Sequence, residues 1–296
     1  MPRKPVNLPA SIAAQLRAIA ASRKSNLDLI LRRYAIERLL YRLSVSPFRE
    51  RFILKGAMLF AAWGTEPFRP TQDLDFLGFG DATPSAVGEL VRSIAAQPVA
   101  ADGLVFDTND LKASTIRGSP AYGGVRVRLL ARLGGIQIPM RIDIGFGDVV
   151  TPSAVDLAYP SLIGRPAPLL RTYPRETVVA EKFEAIVALG LGNSRIKDFY
   201  DIIALAQLYA FDGRDFAAAI AATFARRRTE ITDGPPAGLG AEFFGDAQKV
   251  RQWDAFTGRE PLGVAAGTLP EAIASIAAFV LPPAAAARAG VPLSKV

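Results

Sequence analysis

Apolar residues recur at helical spacing through the first fifty positions of the chain. In residues 11–47 they fall near a 3.6-residue period with charged residues between them, and Pro47 ends the run. This pattern predicts helices. A short apolar strand follows at 52–54, then Lys55-Gly56 and a helical turn over 57–63. A strand, a glycine turn and a helix form an arrangement that directs backbone N–H groups at a phosphate.

Residues 72–77 alternate between polar and apolar positions, which predicts a β-strand. Successive side chains of a strand point to opposite faces, so Asp73 and Asp75 share one face while Leu74 and Phe76 share the other. The pattern therefore predicts two carboxylates held side by side by their buried neighbours.

The clearest hairpin of the chain joins residues 125–133 and 136–144 through Gly134-Gly135. A two-residue turn at the glycines sets the register. It places Val127 opposite Ile142 on the apolar face and Arg126 opposite Asp143 on the polar face. Before this hairpin, residues 84–97 are predicted to form a helix, which Thr83-Pro84 begins.

The second half of the chain changes to helical patterns after a proline-rich connector at 152–174. We expect two domains: residues 1–150, with the N-terminal helices and the sheet, and residues 151–296, a helical domain. From Pro283 onward we expect a frayed tail. The predicted helices of the second half are 176–191, 195–209, 216–228 and 270–281.

The amino-acid composition excludes several kinds of catalytic and metal-binding site. The chain of 296 residues has no cysteine and no histidine, which excludes disulfides, Cys/His zinc sites, thiol nucleophiles and histidine-based triads. Any catalysis must use carboxylates, Lys, Arg, hydroxyls or a metal held by oxygen ligands.

Charge is unevenly distributed along the chain. Of the formal net charge of +7, residues 1–60 carry 12 basic and 3 acidic residues, so the remainder is slightly acidic. A basic N-terminal lobe suggests a polyanionic partner such as RNA. A solvated helix surface in a basic protein explains the same count, and both interpretations stay open.

The most apolar late stretch, residues 272–287, has 16 residues and contains Pro282 and Pro283. We expect it to be too short and too interrupted to cross a bilayer. No secretory signal is visible, because Arg17 interrupts the early apolar stretch. We therefore predict a cytoplasmic protein with no membrane partner.

Three carboxylates, Asp73, Asp75 and Asp143, are predicted on the polar faces of strands. If they converge, they cannot all stay ionised without a cation. Oxygen ligands without histidine favour Mg²⁺ or Mn²⁺ bound together with substrate phosphates. Two alternatives remain: solvated acids at strand ends, and a simple cross-strand ion pair between Arg126 and Asp143.

Five motifs in order carry a resemblance to a known family, and the helical run 31–43 adds to it. The five are Lys55-Gly56, the segment from Arg69 through Thr71 to Asp73 and Asp75, Arg141-Ile142-Asp143, Glu181-Lys182, and the segment from Arg195 to Asp201. The sequence resembles the DNA polymerase β-like nucleotidyltransferases and, more narrowly, the AbiEii/AbiGii toxin family, which includes the MenA-type toxins. The resemblance runs from about residue 11 to 211. Two positions depart from the family pattern: Ala57 replaces a glycine, and Met58 replaces a Thr or Ser of many relatives.

The resemblance implies an α/β (α+β) fold: a nucleotidyltransferase mixed β-sheet core with an N-terminal helical lobe and a C-terminal helical bundle. It also implies that the three aspartates bind the metal ion and complete the catalytic site. Lys182 and Asp198 would join them, Lys182 by neutralising the triphosphate and Asp198 by orienting Lys182 or the nucleotide. The implied nucleotide-binding residues are Lys55, Gly56, Arg69, Thr71, Lys182 and Arg195.

The implied function is a Mg²⁺-dependent toxin that transfers nucleotides from an NTP to an RNA acceptor, with the tRNA 3′ end as the first candidate. A cognate antitoxin is then a partner. Two alternatives stay open: transfer of a nucleotidyl or phosphoryl group to a protein hydroxyl, and a catalytically silent module that binds RNA or another partner.

Several single residues also have structural interpretations. Lys182 fits a surface helix position, and Arg69 fits a role in holding the loop before Asp73. Lys197 and Asp201 fit an ordinary i,i+4 helix pair. The run 226–228 of three arginines favours a solvated helix end over an RNA contact.

Overall fold

The computed structural model describes residues 7–64, 73–116, 123–258 and 263–291. The described chain forms two compact units. The first contains residues 7–64, 73–116, 123–147 and 155–172, and the second contains 148–154, 173–258 and 263–291. The first unit carries the sheet and the second is helical.

The strands of the first unit form one seven-stranded mixed sheet in the order β3-β4-β5-β2-β1-β7-β6. The pairs β2–β5 and β1–β7 are parallel, and the other neighbours are antiparallel. The strands are β1 Phe52–Lys55, β2 Asp73–Gly78, β3 Leu104–Thr115, β4 Gly124–Leu133, β5 Ile136–Phe146, β6 Val155–Ala158 and β7 Leu169–Thr172.

Helices of the first unit precede the sheet or lie between its strands. Those of the second unit follow the sheet along the chain. The helices of the first unit are α1 Leu8–Ser22, α2 Leu27–Ser44, α3 Met58–Ala62 and α4 Pro84–Ala95. Those of the second are α5 Arg175–Leu189, α6 Ile196–Leu208, α7 Gly213–Arg227, α8 Ala241–Gly245, α9 Ala247–Thr257 and α10 Leu269–Ala289.

The predicted hairpin is confirmed in its register. β4 pairs with β5 so that Val127 lies opposite Ile142 and Arg126 lies opposite Asp143. The glycine turn allows this because Gly134 has a φ of +59°, in the left-handed region that favours glycine.

Alternation along the strands gives the sheet two different faces. The apolar face is buried under α2 and α4, because both helices present apolar stripes to the strands. The opposite face carries the charged residues of β2, β4 and β5. The buried strand residues of the apolar face include Leu74, Phe76, Val125, Val127, Leu129, Met140, Ile142 and Ile144.

A buried ion network joins α2 to the loop before β3. Asp102, whose side chain is 2% exposed, accepts a hydrogen bond from Arg38 Nε at 3.2 Å and one from Arg42 Nη1 at 2.6 Å. Tyr34 donates its hydroxyl to the Asp102 carbonyl at 2.8 Å. Arg38 and Arg42 are therefore structural, and the basic count of the N-terminal lobe overstates the charge available to a polyanion.

The proline-rich connector at 152–174 contains two strands, β6 and β7, that were not predicted from the sequence. Both strands are four residues long, and β7 joins the sheet by pairing in parallel with β1. Short strands next to several prolines leave no detectable period in the sequence. The long strand β3 was also not predicted, because a register shift between Asp107 and Lys112 interrupts its alternation.

The predicted frayed tail is wrong for residues 283–289. Helix α10 continues through Pro282 and Pro283 to Ala289. Proline removes a backbone donor from the helix. Here the cost is offset by packing, because Val280, Pro283 and Ala284 are buried in the helical unit, where α10 contacts α6 and α7.

Among the described residues, α10 is also the helix whose length and composition would allow it to cross a membrane. Of its most apolar window, 39% is buried within the structure. A core helix of a helical bundle passes the same test, so the observation is weak support for a membrane span.

Burial alone would raise the pKa of Asp102, but hydrogen bonds and charge from Arg42 outweigh it and hold the pKa below its ordinary value. We expect Asp102→Asn to lower the free energy of unfolding by about 3–5 kcal/mol, since it removes the anion that buried Arg38 and Arg42 share and leaves Arg38 with Glu37 alone, 3.5 Å away. Urea denaturation at neutral pH measures the change. Asp156→Asn is the control, because Asp156 pairs with Arg49 with its side chain 55% exposed; a loss within about 1 kcal/mol is expected there.

The same pair of variants predicts a pH dependence. Because the folded pKa of Asp102 is lowered, its contribution is fully present above the unfolded value of about 3.9 and is lost as pH falls through the folded pKa. The difference in stability between wild type and Asp102→Asn should therefore shrink below about pH 4. A difference that stays constant down to pH 2 would contradict this account.

Candidate active site

The turn after β1 brings a glycine against a carboxylate. Gly56 has a φ of +73°, and a Cβ built on it would overlap the Asp75 carboxylate and lie 3.0 Å from the Asp75 Cβ. Only glycine satisfies both demands, the left-handed backbone and the close approach. Ala57 and the five-residue helix α3 follow, as the strand, turn and helix pattern predicted.

Strand register brings the carboxylates together. β2 pairs in parallel with β5 so that Asp75 lies beside Asp143. Asp73 lies two residues before Asp75 on the same strand face. On the other side of β2, Lys55 lies opposite Asp75 in the antiparallel pair with β1. Four charged residues from three adjacent strands therefore share one region of the polar face.

Arginines of the same face hold two of these carboxylates. Arg126 donates two hydrogen bonds to Asp143, Nε to Oδ1 at 2.8 Å and Nη2 to Oδ2 at 2.7 Å. Arg141 forms an ion pair with Asp73. The hydrogen bonds to Asp143 raise the pKa of Arg126, and the charges of Asp73 and Asp75 add to the effect. The predicted alternative, a cross-strand pair of Arg126 and Asp143, is therefore present in the structure.

Among the described residues, no three acidic side chains are gathered closely enough to hold a metal ion. The strand register and the ion pairs together account for the positions of the three carboxylates. Asp75 and Asp143 are adjacent across neighbouring strands, about 4.8 Å apart at the backbone. The Asp73 and Asp143 side chains, however, are turned to Arg141 and Arg126. The residue types fit a Mg²⁺ or Mn²⁺ site, and their assignment as ligands stays a prediction.

A second cluster of predicted residues lies in the helical unit. Lys182 of α5 forms ion pairs with Asp198 Oδ1 at 2.5 Å and Asp201 Oδ2 at 2.9 Å, both on α6. The Asp201 side chain is fully buried, whereas Lys197 is exposed. Asp201 is thus a partner of Lys182, and the interpretation of Lys182 as an ordinary surface lysine is wrong, since its side chain is 13% exposed.

Of three other predicted nucleotide-binding residues, the structure describes Arg195. Arg195 is exposed at the N-terminus of α6, where its backbone N–H donates to Asn193 Oδ1 at 2.8 Å. Arg69 and Thr71 lie outside the described residues. The roles of all three stay predictions.

The arginine run 226–228 was predicted to be a solvated helix end, and this is wrong for Arg227. Its side chain is 19% exposed and pairs with Glu184 at 2.8 Å, Glu181 at 3.3 Å and Asp148 at 3.4 Å. Burial would lower the pKa of Arg227, but these three carboxylates outweigh it and raise the pKa. No local sequence pattern predicts this cluster, because its members come from distant segments.

The sheet with helices on its apolar face and carboxylates on its polar face defines an α/β protein, and the predicted fold class is confirmed. The model of the nucleotidyl transferase AbiEii toxin family, from type IV toxin–antitoxin systems, matches residues 38–275. The chain belongs to this family. No curated protein matches the chain.

Two solved structures from Helicobacter pylori are similar in architecture. The crystal structure of JHP933 has a TM-score of 0.45 and 15% sequence identity, over 86% of this chain and 90% of that one. A protein described as a candidate nucleotidyltransferase has a TM-score of 0.43 and 17% identity, over 86% of this chain and 92% of that one.

Gly56 supplies a test of how the turn supports Asp75. We expect Gly56→Ala to lower the free energy of unfolding by more than the roughly 1–2 kcal/mol of a left-handed backbone, because the added methyl also displaces the Asp75 carboxylate. Gly135→Ala is the control, since Gly135 has open space around its Cβ position. Equal stability of the two variants in urea denaturation would contradict the close approach.

Proposed function

We propose that this protein is a metal-dependent nucleotidyltransferase toxin that transfers a nucleotide from an NTP to a hydroxyl at the 3′ end of an RNA, with tRNA as the first candidate. The observation that carries the proposal is the strand register, which sets Asp75 between Asp143 and Lys55 on one sheet face. Family membership supports the reaction class.

A Mg²⁺ or Mn²⁺ ion fits the donor set of Asp73, Asp75 and Asp143, because all three offer oxygen ligands from adjacent strand positions. When bound, the ion would neutralise charge on the phosphates and polarise the attacked phosphorus centre. For the aspartates to serve as ligands, Asp73 and Asp143 must turn from Arg141 and Arg126. The two arginines then stay next to the ligands, and their positive charge disfavours the binding of a further cation.

The transfer itself requires positioning and charge neutralisation rather than a covalent enzyme intermediate. The acceptor oxygen forms a bond to the α-phosphorus, the bond between that phosphorus and the bridging oxygen breaks, and diphosphate leaves. Asp143 accepts the hydroxyl proton in this proposal. Lys55 and the Gly56 amide hold the terminal phosphates.

The helical unit contributes charge in the proposal. Lys182 neutralises the triphosphate, and Asp198 orients Lys182 or the nucleotide. The ion pair between Lys182 and Asp198 supports the first of these two roles for Asp198. Arg195, Arg69 and Thr71 complete the nucleotide contacts as the family motif implies. A cognate antitoxin is the expected partner for a chain of this family, and the cytoplasm is the expected location.

One labelling experiment distinguishes the proposed function from two alternatives, transfer to a protein hydroxyl and a catalytically silent binding module. The purified protein is incubated with labelled NTPs, Mg²⁺ and either tRNA or lysate protein. If the proposal is right, the label is incorporated into the RNA and is released when the 3′-terminal nucleotide is removed. Label on protein alone would favour transfer to a protein hydroxyl. No transfer, together with toxicity that survives Asp75→Ala, would favour a silent binding module.

Metal binding is tested by Mn²⁺ titration followed by electron paramagnetic resonance. We expect Asp75→Asn and Asp143→Asn each to weaken Mn²⁺ binding by at least about tenfold, since each removes one charged oxygen ligand. Asp107→Asn is a matched control, because Asp107 is also a strand carboxylate paired with an arginine, at 21% side-chain exposure against 19% for Asp143. Equal Mn²⁺ affinities in the wild type and all variants would show that Asp75 and Asp143 do not bind the metal ion.

The role of Lys182 is tested by the NTP dependence of transfer. We expect Lys182→Gln to reduce kcat/KM for the NTP by about 10²–10³-fold, the usual effect of losing a group that stabilises developing charge. Lys197→Gln, an exposed lysine of the next helix, should change little. If both variants retain wild-type rates, Lys182 serves only to pair the buried Asp201.

A further inference from the structure

Three basic residues form a continuous row across the polar face of the sheet. Lys112 of β3 lies opposite Arg128 of β4, and Arg128 lies opposite Arg141 of β5. We call these three the basic row. It ends at the carboxylates, because Arg141 lies beside Asp73 of β2 and pairs with it. With strands about 4.8 Å apart, the row spans about 10 Å at the backbone.

The basic row is unfavourable as it stands. Like charges directly opposite on neighbouring strands repel each other, and this arrangement repeats twice along the row. Lys112 and Arg128 are exposed and form no ion pair with any other residue of the described ranges. In the next row on the same face Arg126 is paired with Asp143, whereas in the basic row Arg141 alone has an acidic partner among the described residues. An external anion would stabilise the basic row.

We propose that the basic row binds the phosphates of the acceptor RNA strand and leads its 3′ end to Asp143 and Asp73. This inference rests on the proposed function, since it names the acceptor surface of the same site. The row has the composition expected for a backbone contact, because Lys and Arg bind phosphates without reading the bases.

Position along the sheet assigns the row to the acceptor rather than to the NTP. Lys55 and Gly56, which hold the terminal phosphates in the proposed function, are on β1, on one side of Asp75. The basic row extends from β5 to β3, on the other side. In an in-line displacement the attacking and leaving oxygens lie on opposite sides of the phosphorus. The acceptor strand therefore approaches over β4 and the diphosphate leaves over β1.

The rival surface for RNA is the basic N-terminal lobe. Part of its charge is already used, because Arg38 and Arg42 are buried against Asp102. Arg17 and Lys24 remain exposed there. They offer a charge-matched comparison with Lys112 and Arg128, since both pairs lie in the first unit and carry two positive charges.

The experiment measures binding of a fluorescent RNA hairpin with a single-stranded 3′ end to the full chain, by polarisation at several salt concentrations. The double variant K112Q/R128Q should bind about 10–50-fold more weakly at 0.1 M salt. Its slope of log K against log salt should become less negative by about 1.4–1.8, since each lost phosphate contact accounts for about 0.7–0.9. The variant K112R/R128K should restore both values. R17Q/K24Q should keep wild-type affinity and slope.

The result that overturns the proposal is an unchanged affinity in K112Q/R128Q, or an equal loss in R17Q/K24Q, which would show a general effect of net charge. A wild-type protein that does not bind the hairpin also overturns it. Unfolding in urea serves as the folding control: because the mutated side chains are exposed and their like charges repel, K112Q/R128Q should be at least as stable as the wild type.

Kinetics separate this inference from the proposed function. In K112Q/R128Q we expect KM for the RNA to rise while KM for the NTP stays at the wild-type value. If the wild type transfers label to RNA and the double variant does so with an unchanged KM, only the acceptor surface is wrong. If the wild type transfers no label to RNA while the hairpin still binds through the row, only the proposed function is wrong.

Discussion

The parallel pairing of β2 with β5 places Asp75 directly beside Asp143, and the rest of the site depends on that alignment. A slip of one residue in either strand would move its carboxylates to the buried face. The slip is prevented by the neighbours of those residues, since Leu74, Phe76 and Ile142 must stay under α2 and α4. The hydrophobic core therefore sets the position of the charged groups without touching them.

Charge on the polar face is arranged in two rows with different character. One row runs from Arg126 through Asp143 and Asp75 to Lys55, so two acids lie side by side between two bases. The other begins with three bases and ends at Asp73. In the proposed function, the first row gathers a cation between its carboxylates, and the second holds the RNA backbone next to it.

Arginine serves two purposes in this protein, and burial distinguishes them. Arg38, Arg42 and Arg227 are enclosed by carboxylates and hold distant segments together. Such pairs give stability only while both partners are present, since either one alone would be a buried charge. Arg128, by contrast, is exposed beside other bases. Net charge alone, at +7, does not separate these groups.

The sequence by itself determined the hairpin register and the shared face of Asp73 and Asp75, because strand alternation and a two-residue turn are local. Family motifs then indicated the reaction class. Only the tertiary structure decided that Asp75 lies beside Asp143, that Lys182 pairs with the buried Asp201, and that Lys112 of β3 aligns with Arg128. Those contacts join segments far apart in the chain, and a register shift within β3 hides the alignment from any local pattern. Packing of the whole unit, rather than any one segment, sets them.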